Sequence, residues 1–352
     1  MSIMQSLIEI QQKLLPDLLV VMKKRYLILR QVMLSDMIGR RTLAASLEIT
    51  ERVLRAETDF LKSQGLLQIE AGGMRITEEG KKLLDEMEPL YQQMFGLSDL
   101  EERIRTRYGL KQVVIVPGDS ETSRHTKREL GLAGCAVLRK HMEKDDVVAI
   151  TGGTTLAQMA NQLTTQTPLK GNWFVPARGG LGESMDYQAN TLASTMAKRT
   201  GAQYRLLHVP DHLGEEAYTT LMQEPNVREI VDVIRSARIV VHGIGDAMVM
   251  ARRRRLDATF IEALQAEGAH AEAFGYYFDR TGTVVHRMPT IGLRLEDIMA
   301  TEVVIAIAGG SSKGEAIAAI MQFGHDDVLV TDEAAALEIA ALLDREAAIS
   351  TT

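Results

Sequence analysis

Three glycine loops carry groups able to hold a small anion. Thr151-Gly152-Gly153-Thr154-Thr155 follows the apolar run Val147-Val148-Ala149-Ile150 and precedes a helical run that begins near Leu156. Glycines let backbone N–H groups approach an anion, and a helix N-terminus adds positive dipole. Thr154 and Thr155 add hydroxyl donors. Phosphate binding is one reading of this loop, and a threonine-capped strand–helix turn is the other. Gly309-Gly310-Ser311-Ser312-Lys313-Gly314 has the same character with a cation added, Lys313. It lacks the Gly-Lys-Ser/Thr order of a Walker A loop, so ATP is not implied. Arg178-Gly179-Gly180 sets a guanidinium at the end of another apolar run, and arginine suits bidentate phosphate contact.

Other candidates are single features. His242-Gly243-Ile244-Gly245-Asp246-Ala247 holds two of the dinucleotide-binding glycines, with Met248 where the third belongs. That half-match also describes an ordinary tight turn. Of the arginine run 252–255, a helix lets at most one or two side chains face a pocket. Glu272, in Ala271-Glu272-Ala273-Phe274, is either an acceptor for sugar hydroxyls or a surface carboxylate. His242 and Trp173 read as packing residues. No Ser–His–Asp spacing and no His–Glu–His cluster occurs. The single cysteine, Cys135, leaves no intramolecular disulfide and no multi-cysteine zinc site. Neither a metal nor a cofactor is expected.

The elements that must position these loops form a repeating series after Lys111. Val113-Val114-Ile115-Val116, Val147–Ile150, Trp173-Phe174-Val175, Ile239-Val240-Val241, residues 303–307 and Val328-Leu329-Val330 are short apolar runs, most of them ending in glycine turns. Continuous apolar strands suit a sheet buried on both faces. Helical runs such as residues 156–163 and 315–321 serve as crossovers. The reading is an α/β, Rossmann-like domain over residues 111–352, with ligands beyond the carboxyl ends of its strands.

Before Lys111 the apolar spacing is three and four. Ile3, Leu7, Ile10 and Leu14 fit one helix face, ended by Pro16. Leu18, Val21, Met22, Leu27, Ile28 and Val32 fit a second. Two short helices follow, broken around residues 48–50. Alternating residues around Ala71-Gly72-Gly73 read as a hairpin, and Thr77 opens another helix. Helix, break, helix, hairpin is the order of a winged helix-turn-helix, assigned to residues 1–96, with a linker helix over 97–110. Thr50 caps the second helix of the pair. Glu51, Arg52, Arg55 and Thr58 are expected to point away from the stripe Val53, Leu54, Phe60, Leu61. From that helix polar side chains reach base edges in the major groove. Arg40 and Arg41, read as preceding the first helix of the pair, suit phosphate.

Charge agrees once divided. The 352 residues hold 40 Lys and Arg against 47 Asp and Glu, a net −7 that by itself argues against duplex binding. Residues 1–110 balance 16 basic against 16 acidic side chains, and residues 111–352 carry the entire −7. Residues 20–62 hold 9 basic and 5 acidic side chains. No signal peptide or membrane-length apolar run is visible, so a cytoplasmic location is expected.

The loops Thr151-Gly152-Gly153-Thr154-Thr155, Arg178-Gly179-Gly180-Leu181-Gly182 and Gly309-Gly310-Ser311-Ser312-Lys313 resemble the sugar-binding domain of SorC-type bacterial transcriptional regulators. The N-terminal motifs Leu14-Leu15-Pro16-Asp17-Leu18-Leu19, Gly39-Arg40-Arg41-Thr42-Leu43-Ala44-Ala45 and Thr50-Glu51-Arg52-Val53-Leu54-Arg55 extend the similarity over nearly the full chain. The resemblance implies a repressor of glycolytic genes that binds operator DNA as a homo-oligomer, dimer or tetramer. It also implies an effector domain related in fold to sugar-phosphate isomerases, with fructose 1,6-bisphosphate as effector. Carried over, Thr154, Thr155 and Lys313 meet one phosphate. Arg178, Gln188 and one arginine of 252–255, taken as Arg253, meet the other, and Glu272 meets sugar hydroxyls. Gly152, Gly153, Gly179 and Gly180 complete the predicted effector site. The rival reading is an isomerase or deaminase on the same fold, which requires a positioned general base.

Overall fold

The computed structural model describes residues 14–350, apart from Asp36, Glu48, Ala71, Gln166, residues 181–183, Asp211 and His212. The helix expected over residues 3–14 lies outside them, Leu14 excepted, as do Leu181 and Gly182 of the third glycine motif. The chain divides between Asp99 and Leu100 into two compact units.

The first unit contains α1 (Pro16–Leu34), α2 (Arg40–Ser46), α3 (Glu51–Ser63), the hairpin β1 (Leu67–Glu70) and β2 (Gly73–Ile76), and α4 (Glu78–Met94). Pro16 stands in the first turn of α1, where a missing N–H costs nothing. Between α2 and α3 the Ile49 N–H donates to the Ala44 carbonyl at 3.1 Å. Thr50 caps α3, its hydroxyl accepting from the Val53 N–H at 3.3 Å. Thr77 caps α4 in the same way through Gly80. Tyr26, Leu43, Leu54, Leu61, Leu67 and Met74 are buried at the centre of the unit.

Three expectations change here. Arg40 and Arg41 do not precede α2; they are its first two residues, because extended Gly39 is the N-cap. Thr58 does not face outward. It is fully buried, and its hydroxyl donates back to the Leu54 carbonyl at 2.9 Å. The core face of α3 is Leu54, Thr58 and Leu61, while Val53 and Phe60 are exposed. Phe60 is covered on one side by the Arg25 guanidinium, 3.6 Å from the ring centre. Finally, Gly73 is part of β2 as well as of the glycine pair. Its backbone pairs with Glu70, and an added Cβ would lie 2.8 Å from the Ile38 carbonyl oxygen, at a φ of +147°. Ile38 bridges Met74 and lengthens the wing.

Helix α5 (Leu97–Tyr108) leads into the second unit, where Glu101 accepts the Ile115 N–H at 2.8 Å. Strands β3 (Gln112–Val116), β4 (Val147–Ile150), β5 (Trp173–Pro176), β6 (Gln203–Tyr204) and β7 (Ile239–His242) follow. They alternate with α6 (Arg124–His141), α7 (Thr154–Gln162), α8 (Ala189–Thr200), α9 (Glu215–Gln223) and α10 (Pro225–Arg235). Next come β8 (Gly245–Asp246), α11 (Ala247–Arg253), α12 (Ala258–Ala266), β9 (Ala271–Ala273), β10 (Tyr276–Phe278) and β11 (Val284–Arg287). The chain closes with α13 (Leu295–Ala300), β12 (Val303–Ile307), α14 (Gly314–Phe323), β13 (Val328–Asp332) and α15 (Glu333–Ser350).

Seven strands make one sheet in the order β3-β13-β12-β7-β4-β5-β6. Its ladders are all parallel. Such strands are covered by helices on both faces, which explains their unbroken Val and Ile content. From β4 the chain proceeds toward β6, and from β7 toward β13. The strand order therefore reverses between β4 and β7, the point where open α/β sheets receive ligands. A four-stranded antiparallel sheet, β11-β10-β9-β8, was not foreseen in the sequence; it carries Glu272. Among the described residues no helix is long and apolar enough to cross a membrane.

Candidate functional site

A cavity of about 280 Å³ opens at the reversal point. Its walls come from the ends of β4 (residues 151–156) and β7 (residues 243–246), with Arg178, Glu272, Ser312 and Lys313 converging from β5, β9 and the loop after β12. Strand Ile150 ends in a turn where Gly152 is required: a Cβ there would lie 2.5 Å from the Tyr187 carbonyl oxygen. Helix α7 starts at Thr154, so its free N–H groups and the Thr154 and Thr155 hydroxyls stand at the cavity wall.

One end of the cavity is cationic. Lys313 has its pKa pushed down by burial and by the neighbouring charges of Lys127 and Arg253. The Lys127 ammonium donates to the Thr154 hydroxyl at 3.4 Å. The charges of Lys127 and Arg253 thus disfavour the Lys313 ammonium, with Glu121 and Asp332 opposing them in part. Fully buried Asp332 fixes the loop. Its carboxylate accepts the N–H groups of Gly310 (2.7 Å), Ser120 (2.8 Å) and Ala335 (2.9 Å). Burial nevertheless pushes its pKa up, against those hydrogen bonds.

The other end is a buried charge network. Glu272 Oε1 accepts from Arg254 at 2.7 Å, from the Gly275 N–H at 2.8 Å and from Arg178 at 3.3 Å. Burial raises the Glu272 pKa, but Arg254 and Arg178 outweigh it and hold the carboxyl below its ordinary value. Arg254 also donates to the Tyr277 hydroxyl at 3.0 Å, and its side chain is 2% exposed. Two guanidiniums on one carboxylate leave a net positive wall.

Of the predicted effector residues, Gly152, Gly153, Thr154, Thr155, Arg178, Arg253, Glu272 and Lys313 line this single cavity. Gly179, Gly180 and Gln188 are not in its wall. Gly179 and Gly180 donate to the carbonyls of Ile291 and Val209, and Gln188 stands at the N-cap position of α8 without a side-chain cap, its amide oxygen near Gly180. Sequence reasoning missed Lys127 and Arg254. Lys127 lies in the first turn of α6 and is far from every glycine motif in sequence. Arg254 was within the arginine run, but only the fold separates it from Arg253. His242, read as packing, is buried and also polar: its Nε2 lies 2.6 Å from Asp326 Oδ1, with the ring against Phe274. Among the described residues no cluster could hold a metal ion.

In the first unit, Glu51, Arg52 and Arg55 are exposed on the first turns of α3, beside exposed Thr50. Arg41 is exposed and only loosely tied to Glu51 at 3.5 Å; Arg40 is half-buried. Glu57 turns the other way and binds Lys24 and Arg25 of α1. The outward polar edge of α3 is thus separated from the edge that packs.

A helix-turn-helix unit joined to an α/β unit with a cation-lined cavity defines a ligand-responsive DNA-binding regulator. Residues 21–91 match the family model of the CggR N-terminal DNA binding domain, and residues 92–341 that of a sugar-binding domain. The chain is 49% identical over 337 residues to the central glycolytic genes regulator of Priestia megaterium, covering 96% of this chain and 98% of that one. Against the protein of the same name from Bacillus subtilis the identity is 46%, covering 96% and 99%. A SorC family transcriptional regulator structure from Enterococcus faecalis superposes with a TM-score of 0.65 at 39% identity, covering 69% of this chain and 99% of that one. The full-length sorbitol operon regulator SorC of Klebsiella pneumoniae shares the fold (TM-score 0.65, 20% identity, 92% and 98% covered). The chain belongs to the SorC family of transcriptional regulators, in the group of the central glycolytic genes regulators. Its relatives are named as regulators, so the isomerase reading of the α/β unit is set aside.

Proposed function

We propose that this regulator represses glycolytic genes and that fructose 1,6-bisphosphate modulates its hold on operator DNA. The observation that carries the effector assignment is the pair of cationic ends in one cavity. Strands β12, β7, β4 and β5 are consecutive. The Lys313 loop and Arg178 therefore start three strand spacings apart, about 14 Å at roughly 4.8 Å per spacing. Side chains reaching inward from both ends suit a hexose with a phosphate at each end better than a monophosphate.

In this reading Thr154, Thr155 and Lys313, joined by Lys127, take one phosphate. Arg178 takes the other, while Arg253, whose charge bears on Lys313, belongs with the first. Glu272 orients Arg178 and receives ring hydroxyls on its remaining oxygen. Arg52, Arg55 and Glu51 read base edges, while Arg40, Arg41 and Thr50 meet the phosphate backbone. A dimer or tetramer matches a repeated operator, since two-fold related recognition helices require half-sites spaced by whole turns. The effector must favour one arrangement of subunits over another, because equal affinity shifts nothing.

An operator gel shift with fructose 1,6-bisphosphate, fructose 6-phosphate, glucose 6-phosphate and inorganic phosphate tests the proposal. The bisphosphate should change operator affinity at the lowest concentration. Equal response to the monophosphates would remove the two-ended assignment.

A further inference from the structure

The cavity contains an anion of its own. Glu121 lies in its wall beside Ser312 and Lys313. Its Oε2 accepts the Ser312 N–H at 3.1 Å and stands 3.5 Å from the Ser311 hydroxyl. Hydrogen bonds from Ser312, then Ser311 and the charge of Lys313, hold its carboxyl below the ordinary glutamate value. This carboxylate therefore uses the backbone donor and the cation that a phosphate at the Lys313 loop would need.

We propose that Glu121 determines effector specificity by holding the anion position of the Lys313 loop, so that only a ligand with its own phosphate there displaces it. The inference rests on the sugar-phosphate reading of the cavity. The surrounding backbone is built for an exchange of one side chain. The Ser120 N–H is tied to Asp332, the Glu121 N–H to Asp119 Oδ1 at 2.8 Å, and the Ser123 N–H to the Asp119 carbonyl at 2.9 Å. The Ser311 hydroxyl also donates to Asp119 Oδ2 at 3.1 Å, which keeps it oriented when Glu121 leaves. Glu121 itself is exposed, so its carboxylate can swing into water without moving the loop.

Charge decides which ligands succeed. Removing Glu121 takes a counter-ion from Lys313, which the charges of Lys127 and Arg253 already disfavour. A neutral sugar supplies none, and Glu121 stays. A phosphate dianion replaces one negative charge with two and one acceptor atom with three. Glu121 thus lowers the affinity for every phosphate and, in the same step, excludes unphosphorylated sugars.

The test is calorimetric titration of the full chain, wild type, Glu121→Gln and Glu121→Ala, with inorganic phosphate, fructose 1,6-bisphosphate and fructose. Glutamine keeps an acceptor for Ser312 and removes the charge, so thermal melting should be unaltered. Both variants should bind inorganic phosphate and the bisphosphate at least about tenfold more tightly, since a like charge a few ångströms away is lost. Unchanged or weaker binding of inorganic phosphate in Glu121→Gln would overturn the proposal, as would no phosphate binding in any of the three proteins. Weaker bisphosphate binding with unchanged inorganic phosphate would make Glu121 a sugar-hydroxyl acceptor instead. Failure of the wild type to bind the bisphosphate, with the inorganic phosphate effect intact, would refute the effector assignment and leave the Glu121 role standing.

Discussion

Arg254 illustrates how one buried side chain holds an entire site. It gives Glu272 its shortest hydrogen bond and reaches Tyr277, so Arg178 keeps only a 3.3 Å contact to the shared oxygen. Arg254→Met should leave Glu272 buried beside a single distant arginine and cost about 3–5 kcal/mol, read from urea denaturation. The same carboxylate sets an acid limit. Its folded pKa lies below the ordinary 4.5, so the stability it contributes is complete above that value and is lost as pH falls through the lowered one. The Arg254→Met variant should lose part of that acid-side slope. On the ligand side, Lys313→Ala should weaken bisphosphate binding by about 10- to 100-fold, the range of one charge-assisted hydrogen bond, while operator binding without effector persists. An unchanged affinity would remove Lys313 from the site. Arg52→Ala and Arg55→Ala should each cost about 1–3 kcal/mol of operator affinity with calorimetric bisphosphate binding retained.

At the scale of elements, α3 and the wing stand on two local devices. Thr50 supplies the cap of α3, and Thr50→Ala should lower the stability of the first unit by about 1 kcal/mol. Gly73 is more demanding, since a side chain there meets backbone and not a mobile neighbour. Gly73→Ala should cost about 1–3 kcal/mol and loosen the Ile38–Met74 bridge, which hydrogen exchange at Met74 would report. The order helix, break, helix, hairpin was legible because each boundary has a local cause. The facing of individual residues was less so. Thr58 satisfies its hydroxyl within its own helix and can therefore be buried, and Phe60 can be exposed because Arg25 covers it. A hydrophobicity pattern contains neither fact.

For the whole molecule, the net −7 lies in the α/β part, and the neutral N-terminal part holds the basic stretch. Operator affinity should therefore fall with salt along a shallow line set by a few arginine–phosphate contacts, and each phosphate-contacting arginine removed should reduce the slope by about 1. The α/β core also contains a built-in probe of unfolding. Cys135 is fully buried, and burial pushes its thiol up to about 12. It should resist maleimide in the native chain and react as the α/β unit unfolds; rapid labelling of native protein would contradict that burial.

The amino-acid sequence by itself determined the two kinds of unit, the strand–glycine–helix repeat and the glycine loops at the strand ends. Periodicity, capping residues and glycines act over a few positions, and those forces are visible in order along the chain. Only the tertiary structure decided which residues meet. The reversal of strand order between β4 and β7 brings residues 151–155, 178, 272 and 313 to one cavity, and separates Arg253 in its wall from Arg254 behind it. It also sets Lys127 and Glu121 against Lys313, across nearly two hundred residues. Those contacts depend on sheet topology and buried charge balance, which no local spacing records.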